Sequence, residues 1–173
     1  MPLNKYAPQV ATHRRTQSAI LAAAKELIST TGLKKMAMIE IADLSQVSRA
    51  TLYNHYRDKD SVLLALCESE LARLVEIVRT APDAATALEE LSMQISQDPA
   101  LTAMRRQDPD HLTLALAQQS QQLWRAFTIA LSHLLGDHKS ALALRWLIGQ
   151  ALYPLTPEQS RLQAEAITGV ANL

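Results

Sequence analysis

Between residues 49 and 59 the chain carries Arg49, Thr51, Tyr53, Asn54, His55 and Lys59 on one short segment. Guanidinium, hydroxyl, phenol, amide, imidazole and ammonium groups all donate hydrogen bonds. On one helix face they suit phosphate oxygens and base edges together. The residues just before them, Glu40-Ile41-Ala42-Asp43-Leu44-Ser45-Gln46-Val47-Ser48, read as a short apolar-faced helix followed by a tight turn. That order of elements is a helix-turn-helix, whose second helix reads a DNA groove. Ser48 is placed to cap this second helix by accepting a main-chain N–H from its first turn.

The elements that must position these groups are all helical. Runs of Ala, Leu, Gln, Glu and Arg dominate, without sustained period-two alternation or hairpin turn signals. Prolines 82, 99, 109, 154 and 157 divide the chain into helix-sized pieces. The pattern predicts helices over about 12–30, with Gly32 as the stop, 37–44, 49–56 and 59–80. Further helices are expected over 84–97, 100–107, 110–135, 139–153 and 157–170. Ile39, Ala42 and Leu44 are expected to point inward from the second helix, and Asp58 to cap the fourth. The domains read as a flexible arm over 1–11, a helix-turn-helix DNA-binding domain over 12–58, and a helical domain over 59–173, to which the family resemblance given below assigns effector binding and dimerisation. The fold class is all-α.

Composition bounds the rest. The 173 residues are 48% apolar, with formal net charge +0, but that neutrality hides an asymmetry. Residues 1–62 hold nine Lys/Arg against five Asp/Glu, and residues 63–173 hold eight against twelve. The positive charge therefore travels with the DNA-reading segment. One cysteine, Cys67, leaves no internal disulfide and suits a reducing interior. It sits in an apolar helical run and reads as a buried structural thiol. No apolar stretch reaches the roughly 18 residues of a membrane span, and no signal-like segment opens the chain, so a cytoplasmic protein is expected.

Ile41-Ala42, Val47-Ser48, Thr51-Leu52-Tyr53, His55-Tyr56, Lys59-Asp60 and Leu63-Leu64 resemble the N-terminal domain of TetR/AcrR transcriptional regulators over roughly residues 12–66. The resemblance implies a homodimeric regulator, a repressor released from a near-palindromic double-stranded operator by a small apolar or aromatic effector. It implies phosphate contacts by Tyr53, His55 and Lys59, and base reading from the start and middle of the third helix by Arg49, Ala50, Thr51 and Asn54. The chemistry agrees: Arg suits guanine O6 and N7, Asn suits adenine N6 and N7, and the Ala50 methyl suits a thymine methyl. Arg14 and Arg15, beside His13, are either phosphate or minor-groove contacts or a solvated basic terminus. The chain departs from the family at Gln46 and Ala50, where Gly is common. It departs again at Met36-Ala37-Met38, which lacks the hydroxyl that usually begins helix two.

The family also implies an effector cavity in the second domain, for which Met93, Leu101, Met104, Leu112, Leu116, Trp124 and Phe127 are candidates; the same residues would equally build an ordinary helical core. The helix over 139–153 is apolar nearly all round and needs cover on more than one side. A second copy of the chain would supply it, through Leu142, Trp146, Gly149, Leu162, Ala166 and Val170. Catalysis is not expected, because glycines 32, 136, 149 and 169 build no phosphate-cradling loop or nucleophile elbow. No histidine pair has helical metal-ligand spacing, and no metal or cofactor is expected. The competing reading is a helical dimer that binds a small molecule or protein partner without regulating through DNA.

Overall fold

The computed structural model describes residues 7–117 and 121–169, and the described residues form ten helices without a strand. The chain divides into two compact units, Met1–Cys67 and Glu68–Leu173. The first contains α1 (Ala7–Thr31), α2 (Met38–Ser45), α3 (Arg49–His55) and the start of α4 (Lys59–Thr80). Helix α1 begins before the expected Thr12, so residues 7–11 of the expected arm are helical. It stops at Gly32, whose φ of 89° lets its N–H turn back to the Leu27 and Ile28 carbonyls.

Ile20, Leu21, Ala24, Ile28, Leu33, Met36, Ile41, Ala42, Leu52, Tyr56 and Val62 form the buried interior of this unit. Helix α2 buries Ile41 and Ala42, whereas Ile39 is 43% and Leu44 is 42% exposed. The expected inward stripe was therefore right at Ala42 and wrong at Ile39 and Leu44. The half-buried Met38 and Ser45 flank the true one, which follows helical spacing through 38, 41, 42 and 45. Asp58 caps α4 as expected: the Ser61 N–H donates to its Oδ1 at 2.8 Å, and the Asp58 N–H donates to Ser61 Oγ at 3.2 Å. Cys67 is exposed, which corrects the reading of a buried thiol. The buried stripe of α4 runs through Val62, Leu66, Leu74 and Val78, and position 67 is turned away from it.

The second unit contains the rest of α4 with α5 (Ala84–Ser96), α6 (Pro99–Gln107), α7 (Pro109–Ala117), α8 (Gln121–Leu135), α9 (Asp137–Leu152) and α10 (Pro157–Thr168). The segment expected as one helix over 110–135 consists of α7 and α8, with residues 118–120 outside the described residues. Side-chain caps fix several of the starts. Asp83 accepts from the Thr86 N–H at 2.9 Å and Asp98 from the Leu101 N–H at 2.9 Å, with Pro99 at the first turn of α6. Thr156 and Gln159 cap each other's main chain at the start of α10.

Helix α5 packs against both α9 and α10. The core joins Leu74, Val78, Leu88, Leu91, Phe127, Leu131, Ala143, Leu147 and Ala164. A polar cluster lies beside it. The buried Ser92 hydroxyl donates to Gln150 Oε1 at 2.7 Å and lies 2.7 Å from Ser160 Oγ, while the Ser96 hydroxyl donates to the same Gln150 oxygen at 3.2 Å. Gln150 Nε2, equally buried, meets no hydrogen-bond partner among the described residues. Arg105 ties α6 to the end of α9 by donating from Nη1 to the Ala151 carbonyl at 3.1 Å.

Candidate nucleic-acid interface

The turn between α2 and α3 is built on Gln46, which adopts φ 57° and ψ 31° and is the one non-glycine with positive φ among the described residues. Its N–H reaches the Asp43 carbonyl at 3.2 Å, and the Val47 N–H reaches the Ala42 carbonyl at 3.1 Å. These bonds close the last turn of α2 in the left-handed conformation that glycine normally supplies. The chain thus tolerates the strained backbone rather than avoiding it. Ser48 then caps α3, accepting from the Thr51 N–H at 3.0 Å, with the two hydroxyl oxygens 2.8 Å apart.

Helix α3 is seated by Leu52, which is fully buried, and by Tyr56, just beyond its end, at 8% exposure. That anchoring turns Arg49, Ala50, Tyr53 and Asn54 to the outside. Arg49, Tyr53 and Asn54 make no side-chain hydrogen bond or ion pair among the described residues, so their donors stay available for a ligand. Thr51 differs from its neighbours. It is half-buried and its hydroxyl is engaged by Ser48, which gives it a local capping role beside its expected base contact.

His55 closes α3, half-buried, with its ring stacked on His13 of α1 at 4.2 Å between centroids and 21° between planes. Partial burial, and then the charge of the neighbouring His13, holds the His55 imidazole below its ordinary pKa. His13, adjacent to the exposed Arg14 and Arg15, was named in the sequence only beside those cations; nothing in linear spacing pairs positions 13 and 55. Lys59, at the start of α4, donates its Nζ to the Leu33 carbonyl in the turn after α1. Helix α2 has no side-chain cap at Ala37, and the Glu40 carboxylate instead accepts from the Ala37 N–H at 2.9 Å. Met36 is 2% exposed and serves the core, while the exposed Ala37 at the cap position carries no hydroxyl.

In the second unit the candidate effector residues divide by burial. Leu112 and Phe127 are buried, and Met93, Leu101, Met104, Leu116 and Trp124 are half-buried. Trp124 and Phe127 meet at 6.5 Å with their rings tilted by 58°, and both pack in the core cluster. Among the candidate interface residues, Leu142 is 54% and Leu162 is 49% exposed, and Ala166 is exposed too. Trp146 and Gly149 are half-buried, with Trp146 Nε1 donating to Gln163 Oε1 of α10 at 2.6 Å. Val170 lies outside the described residues. Tyr153, 79% exposed just after α9, is a further exposed aromatic that was not anticipated. Among the described residues no helix is long and apolar enough to cross a membrane, and no cluster of potential metal ligands occurs.

Comparison with known proteins locates this architecture. Residues 20–66 match the family model of bacterial regulatory proteins of the tetR family, a span that runs from α1 through α2, α3 and the first part of α4. No curated protein matches the chain. Among solved structures it is similar to the TetR-family repressor AlkX of Dietzia sp. strain DQ12-45-1b, implicated in n-alkane biodegradation, with TM-score 0.60 and 18% identity over 91% of this chain and 98% of that one. It is similar to the fatty acid degradation regulator FadR of Bacillus halodurans, with TM-score 0.55 and 20% identity over 88% and 82%. RolR in complex with resorcinol gives TM-score 0.57 and 16% identity over 94% and 90%. These likenesses extend the shared fold across both units, and the helix-turn-helix matches at the level of sequence. Residues 20–66 are thus similar to the tetR family of bacterial regulatory proteins, and the described helices share the fold of these regulators.

Proposed function

We propose that the chain is a homodimeric, sequence-specific DNA-binding repressor that leaves its operator when a small apolar or aromatic effector binds. One observation carries this reading: α3 is fixed by the Ser48 cap and the buried Leu52, and it presents Arg49, Tyr53 and Asn54 outward with unengaged donors. In this reading Arg49, Ala50 and Asn54 read bases, with Thr51 beside them, while Tyr53, His55 and Lys59 hold phosphates and Arg14 and Arg15 add charge from α1. Lys59 keeps two of its three N–H groups for phosphate after donating one to Leu33.

The exposed Leu142 of α9, Tyr153 just after it and Leu162 of α10 support self-association through those helices. Two α3 helices would then enter successive major grooves about 34 Å apart. An apolar or aromatic effector is supported by the similar fold of RolR, seen with resorcinol, and of AlkX, implicated in alkane degradation. The half-buried Met93, Leu101, Met104, Leu116 and Trp124 are its candidate contacts. Release needs a difference in affinity between two conformers, with coupling of about 1 to 3 kcal/mol. A protein with this role works in the cytoplasm and without a cofactor.

Selection of bound sequences from a random duplex pool tests the reading. A near-palindromic consensus whose mobility shift weakens steeply with salt is the expected result. Absence of any salt-sensitive shift would reject it in favour of a helical dimer that acts on a small molecule or protein alone.

A further inference from the structure

The stacked histidines of α1 and α3 join two helices at one edge of the proposed DNA surface. His55 follows the base-reading residues directly, and His13 adjoins the exposed cations Arg14 and Arg15. We propose that His13 and His55 act as one proton-linked phosphate clamp, in which a single shared positive charge on the stacked rings grips a DNA phosphate. His13 is thereby a further DNA-contacting residue. The inference rests on the DNA-binding reading above.

The geometry favours one charge on the pair. With centroids 4.2 Å apart, two imidazolium rings would repel, whereas one imidazolium stacked on one neutral imidazole does not. Partial burial, and then the charge of His13, oppose a proton on His55 while DNA is absent. On α1 the neighbouring charges are Arg14 and Arg15, on α3 the exposed cation is Arg49, and α2, which packs on α1, carries the exposed Glu40 and Asp43. At the start of α4, Lys59 is held by the Leu33 carbonyl, and the Asp58 carboxylate is already engaged by Ser61 and Arg57. No carboxylate pairs with either ring among the described residues. The one nearby chemistry that reverses this balance is an anion brought from outside. A phosphate oxygen accepts the imidazolium N–H and stabilises the added charge, so DNA binding takes up one proton from solvent.

The direct test is fluorescence anisotropy of the full-length chain with a labelled random-sequence DNA duplex at low salt, across the range from about pH 8 to pH 6 where unperturbed imidazoles titrate. Affinity should tighten as pH falls, by up to about tenfold per pH unit, the limit for one linked proton. The salt slope should steepen by about 0.9 over the same range, as expected for one added cation. His13→Gln and His55→Gln should each flatten the pH profile, while the exposed and distant-in-sequence His111→Gln should leave it unchanged. Because His13 is exposed, its variant is expected to fold, and its thermal melt provides the check. Wild-type binding without pH dependence, or a His13→Gln variant retaining the full dependence, would overturn the clamp and leave the DNA-binding reading intact. Absence of wild-type binding at every pH would overturn both.

Discussion

The ammonium of Lys59 donates to the main-chain carbonyl of Leu33, 26 residues earlier in the chain. It pins the turn that leads into α2 to the first turn of α4. Lys59→Met should therefore act twice. It should lower the stability of the chain by about 1 to 2 kcal/mol, as for a hydrogen bond from a charged donor. It should also reduce the salt slope of DNA binding by about 1, without changing which sequence is preferred. Urea midpoints and affinities at several salt concentrations separate the two effects.

Arg49 is the counter-case, because it is exposed and bonded to nothing among the described residues. Arg49→Ala should leave the melting temperature unchanged. It should weaken the selected duplex by about 1 to 3 kcal/mol and relax preference at one base position. Equal losses across all variants of that duplex would reassign it to a phosphate.

Gln46 stands in left-handed conformation, which costs a residue with a side chain about 1 kcal/mol relative to glycine. Gln46→Gly should therefore stabilise the chain by a few tenths to about 1 kcal/mol, the gain being reduced by glycine's freedom in the unfolded state. Ser48→Ala removes the cap of α3 and should cost about 1 kcal/mol. A thermal melt of each variant provides the sign.

Leu142 and Leu162 offer the cleanest examination of self-association, because both are about half exposed. Trp146 also bonds to Gln163, so a substitution there would damage the fold as well. Leu142→Glu with Leu162→Glu should yield a folded monomer by light scattering with much reduced operator affinity. A stable dimer in the double variant would move the interface elsewhere.

Hydrogen bonds from the Ser61 main chain and then its hydroxyl hold the Asp58 carboxyl below its usual pKa, and the bonds from Thr86 do the same for Asp83. A carboxyl lowered in the folded state contributes stability that is complete above its ordinary pKa and is lost as pH falls through the lowered value. Asp58→Asn should therefore destabilise the chain at neutral pH and shrink the loss of stability below about pH 4. Urea midpoints at pH 7 and pH 3 measure the difference.

Local signals carried most of the first unit. The Ser48 and Asp58 caps, the Gly32 stop and the outward set Arg49, Ala50, Tyr53 and Asn54 all follow from short-range chemistry. What failed there depended on packing phase. Helix α2 has eight residues, too few to average out an error, so Ile39 and Leu44 looked as apolar as Ile41 and only burial in the folded unit distinguishes them. Cys67 misled for the same reason, one step off the stripe of α4. The His13–His55 stack and the Lys59–Leu33 bond join residues far apart in sequence, and no periodicity encodes such pairs. In the second unit, Phe127 and Trp124 fit a core and a ligand pocket by the same chemistry, which is why their composition could not separate the two roles.

The cluster of Ser92, Ser96, Gln150 and Ser160 adds little net stability, since one end of the Gln150 amide meets no partner among the described residues. Its effect lies in what it forbids. Sliding α9 by one turn along α5, about 5.4 Å, would return apolar residues to apolar contacts but would strand three buried hydroxyls and an amide. The polar cluster is therefore an index mark: it makes the out-of-register packings of α5, α9 and α10 expensive, and it holds the helices that bear Leu142 and Leu162 in one alignment.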